Sequence, residues 1–385
     1  MRPIYIWQYP EWPTFIWDDS SLITLLSEVR NLEGKIQGIM SMLGFDLQNR
    51  AALDVMTEDV LRSNEIEGVM LNSDRVRSSI ARHLGIDTAG LPQPDHYTEG
   101  VVQVVMDAVR YCSKPLTEDR LSNWHAAMFP TGRSGIYPIK VGAYRTGSEP
   151  MQIVSGAMGK EKVHYEAPPS DAVPAMMGTF LKWINSENNG IDPVLKAAVA
   201  HSWFVAIHPF DDGNGRLTRT ITDMLLAKAD GSPLRFYSMS AEILREKKSY
   251  YDILEHTTTG STDITAWLEW FLQTMKKALL RAEETVEHVV QMSSFWERHR
   301  EIPMNERQVK VVNMLWDGFK GKLTSSKWAK ITKTSQATAL RDITDLIDKG
   351  VLVAATDGGR SSNYLLKDNA DTSKTLLYEH LQQSD

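Results

Sequence analysis

Cysteine is nearly absent: Cys112 is the single one in 385 residues. That excludes an internal disulfide framework and a cysteine-rich zinc site. Cys112 follows an apolar helical run, Val101 to Tyr111, so an inert packed thiol is expected rather than a nucleophile. Long hydrophobic runs are also missing. None approaches the ~18 apolar residues that a membrane span needs, and no membrane partner is expected. Met1 to Trp7 offers no apolar leader core and no small-residue cleavage site, so a cytoplasmic protein is expected. A basic surplus is lacking too. The chain has 42 Lys+Arg against 49 Asp+Glu, a net charge of -7, which argues against a surface coated for nucleic acid. Residues 301–370 differ, with 11 Lys+Arg against 8 Asp+Glu, or +3, leaving -10 for the remainder.

What is present is ordinary for a folded protein: 42% hydrophobic and 24% charged residues, in a chain long enough for two or three domains. Residues 1–20 are rich in Trp, Tyr and Pro and predict an extended arm that docks its aromatic rings. Helical spacing begins at Asp19-Ser20, a cap signal, with Leu22, Leu25, Leu26, Val29, Leu32 and Ile36 on one face. It continues through Leu53–Glu67, Asn72–Leu84, Thr98–Cys112 and Thr117–Phe129. Gly90, Pro92 and Pro94 mark a connector. Met151-Gln152-Ile153-Val154 and Lys162-Val163-His164-Tyr165 predict a β-hairpin turning at Ser155–Lys160. Helices are expected again up to Trp183, over Val194–Ile207, Gly215–Ala229, Ser240–Glu255 and Asp263–Val290. Beyond Arg298–Pro303, three short helices precede Val351–Ala354, a Gly-rich tip at Asp357–Arg360 and Ser362–Leu365, a winged-helix pattern.

The chemistry concentrates in His208-Pro209-Phe210-Asp211-Asp212-Gly213-Asn214-Gly215-Arg216, with Arg219 three residues on. Glycines allow close backbone approach, and a loop that opens a helix turns its N–H groups into an anion nest. Arg216 and Arg219, spaced i and i+3, are expected to project to one side and to suit phosphate oxygens. Asp212 is a hard oxygen ligand fit for Mg²⁺ that bridges phosphates. His208 ends the preceding helix and suits proton acceptance from a hydroxyl. Phe210 is the expected apolar anchor. A tight turn with surface charges would explain any one of these residues but not the whole set. His201, seven residues before His208, reads as a satisfied core histidine, since no third metal ligand has suitable spacing, and His125 reads as a packing residue of the core helices.

The string resembles the signature of the Fic family, HPFx[D/E]GN[G/K]R with a further Arg, at every position. The resemblance implies a mainly α fold: a helical Fic domain with a β-hairpin flap, an N-terminal helical region and the C-terminal winged helix. The boundaries expected are 1–95, 96–295, 300–370 and a tail at 371–385. It implies transfer of AMP from ATP, with Mg²⁺, to a Tyr, Thr or Ser hydroxyl of a target protein or of the chain itself. His208 would deprotonate that hydroxyl and Asp212 would hold the metal. Gly213, Asn214 and Gly215 would line the phosphate nest, with Arg216 and Arg219 on the outer phosphates. Gly at position 215 goes with nucleotidyl transfer, where the kinase-like members tend to have Lys.

Three further segments fit that resemblance. Ser63-Asn64-Glu65-Ile66-Glu67-Gly68 resembles the family's inhibitory helix, so Glu67, with Ser63, is expected to pair with Arg219 and restrain the enzyme. The flap residues Met151, Gln152, Ile153 and Val154 would hold the target by strand addition. Tyr250, Tyr251 and Leu254 would wall the adenine pocket, with Thr258 where some members have Asn. The alternative activity is removal of AMP, with Glu67 orienting a water. The alternative outside enzymology is a DNA-binding regulator acting through the winged helix, whose groove-facing residues would be Ser335, Gln336, Thr338 and Arg341, with Arg360 on the wing. The aromatic arm is a candidate dimer contact.

Overall fold

The computed structural model describes residues 5–86, 91–155, 162–187, 190–316, 319, 321–355 and 363–367. The fold is mainly α, with two-stranded antiparallel sheets as its only strands among those residues. Two compact units divide at Val286 and Glu287, inside the range of the long helix α11 (Thr265–Arg298).

In the first unit the aromatic arm docks as its composition predicts. A single 3-10 turn (Ile6–Gln8) is followed by Trp12 and Phe15, whose rings pack edge-on against Trp203 at 6.2 and 5.5 Å. Tyr5 meets Tyr165 at 5.3 Å. Helix α1 (Asp19–Ser41) is capped one residue earlier than expected, by Asp18, whose carboxylate accepts from the Ser20 N–H. Its buried stripe is Leu22, Val29, Ile36 and Met40. Helices α2 (Phe45–Ile66), α3 (Ser73–Leu84), α4 (His96–Arg110) and α5 (Glu118–Met128) follow. Gly100 lets α4 and α5 touch backbone to backbone: a β-carbon there would stand 2.1 Å from the Ala127 carbonyl oxygen.

A short pair, β1 (Arg133–Ser134) and β2 (Tyr137–Pro138), precedes the expected hairpin β3 (Gln152–Ser155) and β4 (Lys162–Glu166). The register of that hairpin shifts between Ile153 and Val154, a bulge that re-aims the strand. Most of its predicted turn, residues 156–161, lies outside the described residues. After α6 (Val173–Ile184) come α7 (Pro193–Ile207) and α8 (Asn214–Asp230), the central antiparallel pair. Every residue of α7 from Val194 to Ile207 except Lys196 is buried. A helix apolar on all sides can only be a core helix. The expected single helix over Ser240–Glu255 is two, α9 (Met239–Arg245) and α10 (Lys247–Thr258), broken at Glu246.

The second unit has its own core, in which Phe295, Trp316, Trp328, Ile343 and Leu346 are buried together. Helices α12 (Glu306–Trp316), α13 (Ser325–Thr332) and α14 (Gln336–Asp348) precede the antiparallel pair β5 (Leu352–Ala354) and β6 (Tyr364–Leu366). Asp357–Arg360, read as a wing tip, and the tail at 371–385 lie outside the described residues.

Candidate active site

Helix α7 stops at His208, which adopts the left-handed conformation (φ 50°, ψ 59°). A non-glycine residue held there stores backbone strain, and surrounding bonds must hold it. Arg145 supplies them. This buried guanidinium donates to the carbonyls of His208 (2.8 Å), Pro168 (2.5 Å) and Ile207 (3.4 Å), and the Arg145 backbone N–H donates to the Pro209 carbonyl at 2.9 Å. Phe210 is fully buried and stacks on His125 at 4.4 Å. Asn214 closes the loop on itself: its amide accepts from the Phe210 N–H (3.0 Å) and donates to the Phe210 carbonyl (2.8 Å). Gly213, at φ +81°, caps α8, and a β-carbon there would meet the Phe129 ring at 2.8 Å.

The His208 ring lies on the wall of a cavity of about 610 Å³. Its Nδ1 is 3.3 Å from the Val205 carbonyl, which can only accept. Nδ1 therefore carries the hydrogen and Nε2 keeps the lone pair. Burial, with help from Arg145, pushes this imidazole down to about 4, so it is neutral at ordinary pH. Asp212 is fixed from both sides. One carboxylate oxygen accepts from the Gly213 N–H at 2.5 Å, and the other accepts from the Ser134 hydroxyl. Its side chain is 42% exposed and lines the same cavity. Among the described residues no group of three or more His, Cys, Asp or Glu could form a cage for a metal. A single half-open carboxylate fits a cation that takes its remaining ligands from phosphate and water.

The two arginines take different partners. Arg216 lies over the Phe129 ring (4.8 Å) and donates to the Tyr97 hydroxyl (2.8 Å). Arg219 turns to α2, where Nε donates to the Ser63 hydroxyl (2.9 Å) and Nη2 to the Ser63 carbonyl (2.8 Å) and to Oε1 of Glu67 (2.8 Å). Nε of Arg216 and Nη1 of Arg219 are buried without a hydrogen-bond partner among the described residues. Buried N–H groups left so are costly, and an oxygen-rich ligand would satisfy them. Glu67 caps α2, and its carboxylate lies against the first turn of α8. A β-carbon at Gly215 would stand 2.2 Å from Oε1.

The opposite wall comes from α10. Tyr250 is buried and its hydroxyl meets His201 Nε2 at 2.9 Å, while His201 Nδ1 meets Thr222 Oγ1 at 2.9 Å. His201 is thus the satisfied core histidine expected, held neutral by burial at about 3. Tyr251 stays 41% exposed, with its hydroxyl pushed up to about 12 by burial. Leu254 and Thr258 complete this wall, and the Thr258 hydroxyl donates back to the Leu254 carbonyl (2.8 Å). From the hairpin, Met151, Ile153 and Val154 line the cavity. Gln152 does not: its amide pairs with Glu166 at 2.9 Å.

A family model described as "Fic/DOC family" matches residues 115–226. The chain carries a Fic/DOC domain. A second family model, "Domain of unknown function (DUF4172)", matches residues 5–86. The protein adenylyltransferase Fic of Drosophila mojavensis is 25% identical over 265 residues, 68% of this chain and 47% of that protein. That of Drosophila grimshawi is 33% identical over 117 residues, 30% of this chain and 22% of that protein. The chain thus spans about half the length, or less, of these curated relatives. The crystal structure of a Fic family protein from Desulfovibrio desulfuricans superposes with a TM-score of 0.52 at 20% identity, covering 91% of this chain and 96% of that one. A Fic-domain-containing signaling protein from Bacteroides thetaiotaomicron gives 0.50 at 21% identity, covering 69% and 96%. These structures share the fold.

Several residues that shape the Fic loop are not legible in the sequence. Tyr97, Ser134 and Arg145 reach it from distant segments with no motif of their own. His125 proves more than a packing residue. Its Nδ1 accepts from the Gly142 N–H (3.0 Å), so Nε2 donates to the Asp212 carbonyl (3.1 Å). Lys140 N–H likewise holds the Asp211 carboxylate at 2.8 Å.

Proposed function

We propose that this chain is a protein adenylyltransferase that transfers AMP from ATP to a hydroxyl side chain of a protein and restrains itself through Glu67. The observation that carries this reading is one cavity shared by a neutral, lone-pair-bearing His208, the first turn of α8 and a tyrosine-lined wall. Its volume of about 610 Å³ is of nucleotide size. Naming the donor ATP and the product an AMP-modified protein rests on the likeness to the Drosophila adenylyltransferases.

In this mechanism the target hydroxyl gives its proton to Nε2 of His208 as its oxygen bonds to the α-phosphorus. The bond from that phosphorus to the bridging oxygen of the β-phosphate breaks, and pyrophosphate leaves. Catalysis is positioning plus charge stabilisation. The turn at Gly213–Gly215 presents the N–H groups at the start of α8 to the phosphates. Asn214 acts through the loop it clamps. Arg216 and Arg219 offer their unpartnered N–H groups to the outer phosphates. Asp212 would hold Mg²⁺, which supplies charge neutralisation on the phosphate oxygens. Tyr251 and Leu254 would flank the base over the buried Tyr250. Met151, Ile153 and Val154 would present an extended target segment to His208 by strand pairing.

Glu67 occupies the ground that a terminal phosphate needs. Its carboxylate uses Nη2 of Arg219 and sits on Gly215, where the positive end of α8 favours an anion. The reading is tested by incubating the chain with ATP labelled at the α- or the γ-phosphate and a cell lysate. Transfer of the α-label alone to protein supports it. Transfer of the γ-label would make the enzyme a kinase and overturn it.

A further inference from the structure

We propose that the second unit binds duplex DNA through the helix–turn–helix formed by α13 and α14, with α14 entering the major groove. This stands apart from the adenylyl-transfer reading and rests on the second unit alone.

The first support is charge. From Gly321 to Arg341 the sequence has five cations and no Asp or Glu. Lys322, Lys327, Lys330, Lys333 and Arg341 are all exposed. The overall charge of -7 conceals this segment, and three acidic residues, Asp342, Asp345 and Asp348, follow it in sequence. The structure pairs two of those three with partners of their own, although the Asp345 side chain remains 45% exposed. Asp342 is buried and takes a two-pronged bond from Arg307 (2.8 and 3.0 Å) and a third from Asn305 (3.1 Å). Asp345 is held by Gln308 (2.7 Å) and Lys349 (2.6 Å). Only Asp348, at the far end of α14, stays exposed without a hydrogen-bonding partner among the described residues.

The second support is shape. Helix α13 ends at Lys333, which is left-handed (φ 54°), so the chain reverses in two residues. Ser335 then caps α14 by accepting from the Thr338 N–H. Trp328, Ala339, Ile343 and Leu346 face the core and fix the two helices against each other. The opposite face of α14 is open: Gln336, Ala337, Leu340, Arg341 and Thr344 are exposed. Leu340 is 50% exposed, beside Arg341, whose guanidinium suits a phosphate oxygen. Gln336 lies 3.3 to 3.4 Å from the hydroxyls of Ser326 and Ser325, which joins the first turns of both helices into one polar surface. Lysines flanking an open helix match phosphates flanking a groove. B-form DNA admits a helix in its major groove, whereas the major groove of A-form RNA is too narrow. That favours DNA as the occupant.

The test uses the full chain and a fluorescein-labelled, mixed-sequence 30-bp DNA duplex, read by anisotropy at 50, 100 and 200 mM KCl. Five phosphate contacts predict a slope of log affinity on log salt near about -4.5, or roughly a 500-fold loss across that range. Lys327→Gln/Lys330→Gln/Lys333→Gln should shallow the slope by about 2.7. A circular-dichroism spectrum and melting curve that match those of the wild type check that the variant is folded. If it is not, Lys330→Gln/Arg341→Gln should shallow the slope by about 1.8. No binding at 50 mM, or an unchanged slope in the folded variant, overturns the proposal. Equal affinity for a 30-bp RNA duplex overturns the groove assignment.

Discussion

Oε1 of Glu67 accepts a 2.8 Å hydrogen bond from Nη2 of Arg219, across 152 residues of sequence. The arginine is 3% exposed and the glutamate 32%. A buried guanidinium therefore meets a carboxylate that still touches solvent, an arrangement that an incoming anion can replace. Loss of the carboxylate should free Arg219 for phosphate without loss of the fold. Glu67→Gly is expected to raise AMP incorporation at least tenfold. Quantitative labelling with ATP, wild type beside variant, checks it.

Gly215 reports on the same contact. A β-carbon there would lie 2.2 Å from the Glu67 carboxylate, so Gly215→Ala must push that carboxylate away. The alanine should lower stability in the wild type and lower it less in a Glu67→Gly background. A double-mutant cycle by urea unfolding should show a coupling of about 1 kcal/mol. Additive effects would mean that the two positions do not touch.

How much of this could be read from the chain alone depends on where the partners lie. The His208–Arg219 string is local, and its loop between two helices follows from the apolar run before it and the glycines within it. Glu67 and Ser63 were legible only through a short string that resembles an inhibitory helix. Arg145, Tyr97 and Ser134 were not legible at all. Each acts by reaching a loop tens of residues away, and a single sequence carries no record of such pairs. The different partners of Arg216 and Arg219 are hidden for the same reason, because i and i+3 spacing fixes where side chains start and not the partners to which they turn. The break between α9 and α10 has no Gly or Pro to mark it.

Burial gives a prediction for acid. His201 and His208 are held at about 3 and about 4, below the ~6.5 of an unfolded histidine. Below pH ~6.5 the unfolded chain takes up protons that the folded chain refuses. The stability these neutral rings confer is complete above that pH and is lost as pH falls toward 4. The loss should be on the order of 1 kcal/mol per pH unit for each histidine, less for the partly open His208. Thermal unfolding from pH 7.5 to 4.5 measures it, and His201→Asn should flatten the slope.

The same imidazole sets the rate profile. A base held near 4 leaves kcat/KM flat from pH 8 to 5.5, where an unperturbed histidine would have cut it about tenfold. Steady-state rates of the Glu67→Gly enzyme, over the range where it remains folded, decide between the two curves.

Gly213 offers a structural control. At φ +81°, with the Phe129 ring 2.8 Å from any β-carbon, Gly213→Ala should cost about 1–3 kcal/mol and disorder the anion nest. Transfer should fall far more than the melting temperature. Equal retention of both would show that the turn tolerates a side chain.

The most direct measurement of the central claim compares three proteins with α-labelled ATP: wild type, Glu67→Gly, and Glu67→Gly/His208→Ala. Weak labelling, strong labelling and none are expected, in that order. A Glu67→Gly protein no more active than wild type would contradict restraint by Glu67. Undiminished labelling in the double variant would contradict the role given to His208.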